Sequence, residues 1–141
     1  MDDIKLEKIE GEPSKEDKDV MIQGLLSHHA DKGHVRKTTT FSFLLKNQED
    51  KVVGMVIATV LWNGMEINSL WVDESIRNQG WGEKLMNIAE EEGKNRGCTV
   101  SYTNTFDWQA PKFYEKLGYT LYGKLDDFPK GSSLSYYSKQ L

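Results

Sequence analysis

The chain has 141 residues, of which 38% are hydrophobic and 28% are charged, a composition typical of one globular domain spanning residues 1–141. Its net charge of −4 argues against a nucleic-acid partner, because nucleic acids select basic surfaces. Cys98 is the only cysteine, the first residues are charged, and no apolar run approaches the roughly 18 residues of a membrane helix, so we expect a cytoplasmic protein without a membrane partner.

The first half of the chain predicts a strand, a helix and three further strands. Residues 4–9 alternate apolar and polar side chains, as a half-buried strand does. A turn and helix start at 11–16 precede a helix that fades at 31–33. The inward face of this helix is expected to be formed by Val20, Met21, Leu25 and Leu26. β-Branched and aromatic residues then predict strands at 38–45, 52–61 and 66–72, and Asn63-Gly64 makes the last two an antiparallel hairpin.

The second half predicts two more helices and three more strands. A helix at 80–96 has Leu85, Met86 and Ala89 on its inward face, and Gly97 stops it. It is followed by a strand at 98–103, a short helix at 109–117, and strands at 119–123 and 134–138. The order β-α-β-β-β-α-β-α-β-β predicts an α/β protein with a mixed sheet. Because strand–helix–strand crossovers are right-handed, strands 66–72 and 98–103 are expected to be parallel neighbours.

The loop after the strand that ends at Val72 carries the most informative motif. Arg77, Gly80 and Gly82 open the next helix, whose first backbone N–H groups have no partner within the helix. These groups and the helix dipole favour an anion, and glycine lets a phosphate approach the main chain. The third glycine of the Rossmann pattern is missing, and the P-loop pattern fails because Glu83 follows Gly82.

The remaining pattern, Arg-x-x-Gly-x-Gly after a strand, resembles the acyl-CoA pyrophosphate loop of the GNAT superfamily of N-acetyltransferases. A second segment resembles the other GNAT signature, Asn-x-x-Ala-x-x-x-Tyr-x-x-x-Gly-Phe/Tyr, with Asp107 in place of the asparagine. Its matching residues are Ala110, Tyr114, Gly118 and Tyr119. The resemblance covers residues 4–141 and implies the acyl-CoA N-acyltransferase fold of that superfamily.

The resemblance also implies acetyl-CoA as co-substrate, with no metal. In the family, the strands that carry Val72 and Thr103 splay apart, the pantetheine arm pairs with the exposed edge of residues 70–72, and the pyrophosphate lies on backbone N–H groups of the loop. The residues that correspond to this site are Leu70, Trp71, Val72, Arg77, Asn78, Gln79, Gly80, Trp81, Gly82, Glu83, Asp107, Phe113 and Tyr114. Asp107 puts one pantetheine hydrogen bond in doubt, since a carboxylate accepts but does not donate.

Three residues are the candidates for catalysis. Tyr114 matches the family's general acid toward sulfur, and the backbone N–H of Leu70 is the expected donor to the thioester oxygen. Glu66 matches the glutamate that deprotonates the amine in histone-type members, often through water. By the two-residue alternation, Glu66 is expected on the same side of its strand as Leu70. A solvent-exposed strand carboxylate is the alternative interpretation of Glu66, and a core aromatic is that of Tyr114.

Together these residues predict an acetyl-CoA-dependent N-acetyltransferase in which the acceptor attacks the thioester directly in a ternary complex. The acceptor is a primary amine of a small molecule or of a protein, and a homodimer is left open. The alternative is a non-catalytic acyl-CoA-binding regulatory module, which would keep the phosphate loop and lose the acid and the base. The presence of both Glu66 and Tyr114 favours the enzyme.

Overall fold

The structure is a computed structural model that describes residues 3–141, and the chain divides into two compact units, Met1–Arg36 and Lys37–Leu141. The first unit contains one helix, α1 (Lys15–Asp31). This helix begins where the Ser14 side chain accepts a hydrogen bond from the Asp17 N–H at 3.1 Å, as an N-cap does. The second unit contains a six-stranded sheet, two further α-helices and a short 3-10 helix (Glu74–Ile76).

Two expectations for the first unit are wrong. Residues 4–9 form no strand, and no described strand pairs with them. Their apolar and polar side chains alternate, but the backbone N–H and C=O groups have no neighbouring strand among the described residues to bond to. Ile4 and Leu6 are accordingly exposed. The helix forms where it is expected, but none of its residues is buried. The apolar residues between Val20 and Leu26 are spread around the helix axis and do not form one stripe.

The second unit matches the expected order of elements after the first helix. Its elements are β1 (Thr38–Lys46), β2 (Val52–Leu61), β3 (Gly64–Val72), α2 (Trp81–Asn95), β4 (Val100–Phe106), α3 (Pro111–Lys116), β5 (Thr120–Asp126) and β6 (Ser133–Gln140). The strands lie in the order β1-β2-β3-β4-β6-β5. As predicted, β3 and β4 are parallel, whereas the other neighbouring pairs are antiparallel.

The helix α2 anchors the core of this unit. Leu85, Met86 and Ala89 are buried as predicted and belong to one apolar cluster with Val56 and Met65 of the sheet. The helix ends before a glycine with φ of 87° at position 97, the left-handed conformation that glycine adopts most readily. This packing fixes the start of α2 close to the end of β3.

The pairing of β3 with β4 is short. Their register extends only from Gly64–Val100 to Glu66–Tyr102, although both strands continue for several residues beyond. At the point of separation, the Thr103 hydroxyl donates a hydrogen bond to the Ile67 carbonyl at 3.0 Å. Beyond this contact the two strands diverge and leave a gap in the sheet.

A β-bulge in β3 corrects one sequence-based expectation. Ser69 pairs with Ile57 of β2, but Ile67 pairs with the next residue along β2, so Asn68 is the extra residue. An inserted residue reverses the alternation of side chains beyond it. Glu66 and Leu70 therefore lie on opposite faces of the sheet, and the expectation that they share a side is wrong.

One ion pair is buried between α2 and β6. The Lys139 ammonium lies 2.6 Å from Oε1 of Glu90, whose side chain is only 7% exposed. The second oxygen, Oε2, has no hydrogen-bond partner among residues 3–141. Removing only one partner of such a pair leaves an uncompensated buried charge.

We expect Lys139→Met to lower the free energy of unfolding by about 3–5 kcal/mol, because it leaves the Glu90 carboxylate without its cation. The free energy of unfolding should fall less in the double variant with Glu90→Gln, because that variant has no buried charge left uncompensated. Urea unfolding of both variants measures the difference, with Lys124→Met as the control, since Lys124 is an exposed partner of Asp126. Equal losses in the single and the double variant would contradict the prediction.

Candidate active site

The gap between β3 and β4 forms a cavity of about 290 Å³. Its walls are residues 68–70 of β3, residues 103–106 of β4, two residues before α3, Gln109 and Ala110, and two residues within α3, Phe113 and Tyr114. Two of the three candidate catalytic residues, Leu70 and Tyr114, therefore line one cavity.

The hydrogen bonds of β3 leave part of its backbone without a partner strand. The Asp73 N–H donates to the Val53 carbonyl of β2 at 2.8 Å, and the same register continues through Trp71. Because hydrogen-bonded pairs alternate in antiparallel strands, Trp71 bonds to β2, whereas the N–H groups of Leu70 and Val72 point away from β2. That is the side from which β4 has diverged, so these groups form an open strand edge.

The loop before α2 combines two left-handed residues with a helix start that has no side-chain cap. Asn78 has φ of 60° and Gly80, the N-cap residue, has φ of 84°. The first backbone hydrogen bond of the helix is donated by the Lys84 N–H to the Gly80 carbonyl at 3.1 Å. The N–H groups of residues 81–83 and the positive end of the helix dipole therefore converge at one point, as an anion site requires.

The two glycines of this loop have different structural roles. A Cβ on Gly80 would meet nothing within 4 Å, so glycine is needed there for its positive φ. A Cβ on Gly82 would lie 3.3 Å from the ring of Phe113, so glycine there lets the start of α2 pack against α3. Gly82 therefore has a packing role in the fold, and its role in phosphate approach stays a prediction.

The other predicted loop residues lie around the same helix start. The Arg77 Nε donates to the Val72 carbonyl at 3.1 Å, which holds the guanidinium at the end of the open strand edge. The ring of Trp81 carries the Lys84 ammonium 4.4 Å from its centroid. Gln79 and Glu83 are exposed.

Tyr114 is held in place by other aromatic rings. It is 7% exposed, with edge contacts to Phe113 and Tyr119 and a stacked contact to Tyr137. Burial raises the pKa of its phenol above the ordinary value, and a hydrogen bond with the Thr103 side chain partly opposes that rise. The phenol is therefore protonated at neutral pH, as the predicted role of a general acid requires.

Glu66 is not among the residues that line the cavity in the described structure. It is half-buried and lies beside Tyr102 in the β3–β4 register, on the face of the sheet opposite α2. Asn68, two residues farther along β3, does line the cavity and accepts a hydrogen bond from the Thr59 hydroxyl at 2.8 Å. Glu66 thus lies next to the cavity on the other face of the sheet.

Asp107 also lies outside the described cavity lining, and its backbone N–H donates to the Ser133 carbonyl at 3.1 Å. Sequence reasoning did not identify Gln109, which does line the cavity. Its Oε1 accepts a hydrogen bond from the Phe106 N–H at 2.8 Å. This contact uses the oxygen of the side-chain amide and not the two N–H donors of its nitrogen. The sequence feature that could have identified Gln109 is its side-chain amide, two residues after Asp107 in the same motif.

Cys98 is buried, and burial raises the pKa of its thiol, so it is a weak nucleophile. Within residues 3–141, no group of three or more His, Cys, Asp or Glu side chains is arranged to hold a metal ion. No helix of that range is long and apolar enough to cross a lipid bilayer.

Known proteins share both the sequence pattern and this fold. Residues 6–119 match the family model described as Acetyltransferase (GNAT) family. Blasticidin-S acetyltransferase from Streptomyces morookaense is 33% identical over 95 residues, which cover 67% of this chain and 70% of that protein.

Two solved structures extend the comparison to the fold. An acetyltransferase from Bacillus cereus has a TM-score of 0.84 at 31% identity, covering 95% of this chain and 98% of that one. An aminoglycoside 6′-N-acetyltransferase complexed with coenzyme A has a TM-score of 0.65 at 24% identity and shares the fold over 72% of each chain. The family model spans most of the chain, so this protein belongs to the GNAT family and is an N-acetyltransferase.

Proposed function

We propose that this protein transfers the acetyl group of acetyl-CoA to the primary amine of a small cationic molecule. The observation that carries the proposal is the cavity between β3 and β4, which has an open strand edge on one wall and the Tyr114 phenol on another. The relative named for blasticidin S favours a small molecule over a protein as acceptor. The net charge of −4 suits a cationic one.

In this proposal, acetyl-CoA binds mainly to backbone groups. The pantetheine arm runs along the open edge of residues 70–72 and exchanges hydrogen bonds with Leu70 and Val72 as an added strand would, while the backbone of Trp71 stays bonded to β2. The pyrophosphate lies on the N–H groups of residues 81–83, with Arg77 and the turn at 78–80 beside it. Gln109 supplies the side-chain amide donor that Asp107 lacks.

The reaction proceeds by direct attack of the amine nitrogen on the thioester carbonyl carbon. Glu66 takes the ammonium proton, directly or through water, because a protonated amine has no lone pair to attack with. The Leu70 N–H donates to the oxygen as it becomes negative. The carbon–sulfur bond then breaks, and the thiolate takes its proton from Tyr114. The nitrogen, which became positively charged on attack, releases its extra proton to water, and water returns a proton to Tyr114.

A screen of amines for acetyl-CoA-dependent release of free thiol tests the proposed reaction. Small primary amines that carry a positive charge should give turnover, whereas matched alcohols should not. Release that occurs only with a protein or peptide amine would move the acceptor class from small molecules to proteins. No release with any amine would contradict the proposed reaction.

Gln109→Glu is expected to raise the KM for acetyl-CoA up to about tenfold with kcat nearly unchanged, since one neutral hydrogen bond contributes about 0.5–1.5 kcal/mol. The substitution keeps an oxygen that accepts from the Phe106 N–H, replaces the N–H donors by a second oxygen, and adds a negative charge that acts in the same direction. Steady-state kinetics measure the effect, with Asp107→Asn as the comparison. Asp107→Asn adds a donor and should not raise the KM; an unchanged KM for Gln109→Glu would exclude the Gln109 amide as a donor to acetyl-CoA.

Tyr114→Phe is expected to lower kcat by about 10- to 100-fold, since general acids contribute that order or more and a thiolate is a tolerable leaving group without protonation. The KM for acetyl-CoA should change little, because the ring and its packing are kept. Tyr119→Phe is the matched control: its hydroxyl is buried against Ser101 at 2.7 Å, outside the cavity. An unchanged kcat, where chemistry limits turnover, would make Tyr114 a packing residue.

Glu66→Gln is expected to slow the reaction of an alkylamine near neutral pH and to recover in part as the pH rises. An alkylammonium has a pKa of about 10.4, so at higher pH the solvent supplies the free amine without a base. The pH–rate profiles of both forms on one acceptor measure this, with the exposed Glu49→Gln as control. Superimposable profiles for Glu66→Gln and the parent protein would remove its role as the base.

A further inference from the structure

Four side chains gather on the face of the sheet opposite α2. Glu66 and Tyr102 are neighbours in the β3–β4 register, and Tyr136 of β6 pairs with Asn104, two residues beyond Tyr102. Residues two apart on a strand share a face, so these side chains lie on one side of the sheet. They define, together with Tyr122, a surface that we call the tyrosine face.

Tyr122 completes this surface from β5. The register of β5 with β6 shifts between Leu121 and Gly123, so Tyr122 occupies a bulge, and its ring lies 6.1 Å from the ring of Tyr136 at a tilt of 52°. Tyr122 is 58% exposed, whereas Tyr136 and Glu66 are half-buried. Burial is the main cause that raises the pKa of the Tyr122 phenol, and the neighbouring Tyr136 and Glu66 add to the rise.

The tyrosine face adjoins the cavity. Asn104, which pairs with Tyr136, is one of the cavity walls, and so is Asn68, two residues beyond Glu66. A ligand on this face can therefore reach the cavity between the two asparagines. The face carries a carboxylate beside the electron-rich surfaces of tyrosine rings, a combination that attracts cations and repels the phosphates of CoA.

From this juxtaposition we infer that Glu66, Tyr122 and Tyr136 bind the alkylammonium group of the acceptor before its deprotonation. The inference rests on the proposed acetyl transfer and specifies how the same site selects its acceptor. Glu66 supplies the opposite charge, and the two rings supply cation–π contacts to the ammonium and its neighbouring methylene groups. The site selects a protonated amine over a neutral molecule of the same shape.

The test compares butylammonium with butan-1-ol, which has the same chain length and no charge. Each is titrated into the protein saturated with CoA, near neutral pH, and binding is followed by NMR, which suits a 16.2 kDa chain. CoA replaces acetyl-CoA, so that no acetyl transfer occurs during the titration. We expect saturable binding of butylammonium and at least fivefold weaker binding of butan-1-ol.

Substitutions assign the effect to the rings. Tyr122→Leu and Tyr136→Leu should each weaken butylammonium binding about three- to tenfold, the range expected for a partly desolvated cation–π contact. Tyr122→Phe keeps the ring face and should bind within about twofold of the parent protein. CoA affinity, measured by calorimetry in each variant, should be unchanged and reports that the fold is intact.

Equal binding of the amine and the alcohol would overturn the inference, as would full binding of butylammonium by the Tyr122→Leu and Tyr136→Leu variants. These results do not depend on turnover. Absence of thiol release in the amine screen would instead contradict the proposed reaction, so the two failures are distinguishable.

Discussion

The early separation of β3 from β4 is the constraint on which the site depends. In a continuous sheet, the N–H groups of Leu70 and Val72 would be consumed by the neighbouring strand. Here the parallel pairing stops at Glu66–Tyr102. The last contact between the two strands is the hydrogen bond from the Thr103 hydroxyl to the Ile67 carbonyl. A row of backbone donors and acceptors is thereby left for a ligand, at the cost of an interrupted hydrogen-bond ladder.

The proposed acid and the proposed base lie on different faces of this sheet. Tyr114 lies on α3 and packs against Tyr137, on the face that carries α2, whereas Glu66 lies on the opposite face. In the proposed reaction, the group that takes a proton from the amine and the group that gives one to the sulfur therefore lie on opposite faces of the sheet. Such an arrangement keeps the proposed acid and the proposed base apart, so that neither has to exchange its proton with the other during addition of the amine and loss of the thiolate.

The glycine-containing loop at residues 77–82, the elements from α1 onward and the parallel pairing of β3 with β4 could be predicted from the sequence. Each of these features depends on local patterns or on the handedness of the chain. The strand at 4–9 was wrongly predicted because alternation is local, whereas a strand needs a distant partner. The bulge at Asn68 has no sequence signal of its own and reversed the expected side of Leu70 relative to Glu66. Gln109 was missed because its role depends on how the turn folds back on Phe106.

The single thiol of the chain, on Cys98, is 4% exposed, so the folded protein offers almost no thiolate to a disulfide reagent. A chromogenic disulfide added during turnover will therefore report CoA set free from acetyl-CoA and not the enzyme itself. In the absence of substrate, slow labelling of the same sulfur measures how often the core opens, because only an opened chain exposes it. The buried Cys98 side chain thus adds no signal to a thiol-release assay of the folded protein, and its labelling rate reports unfolding.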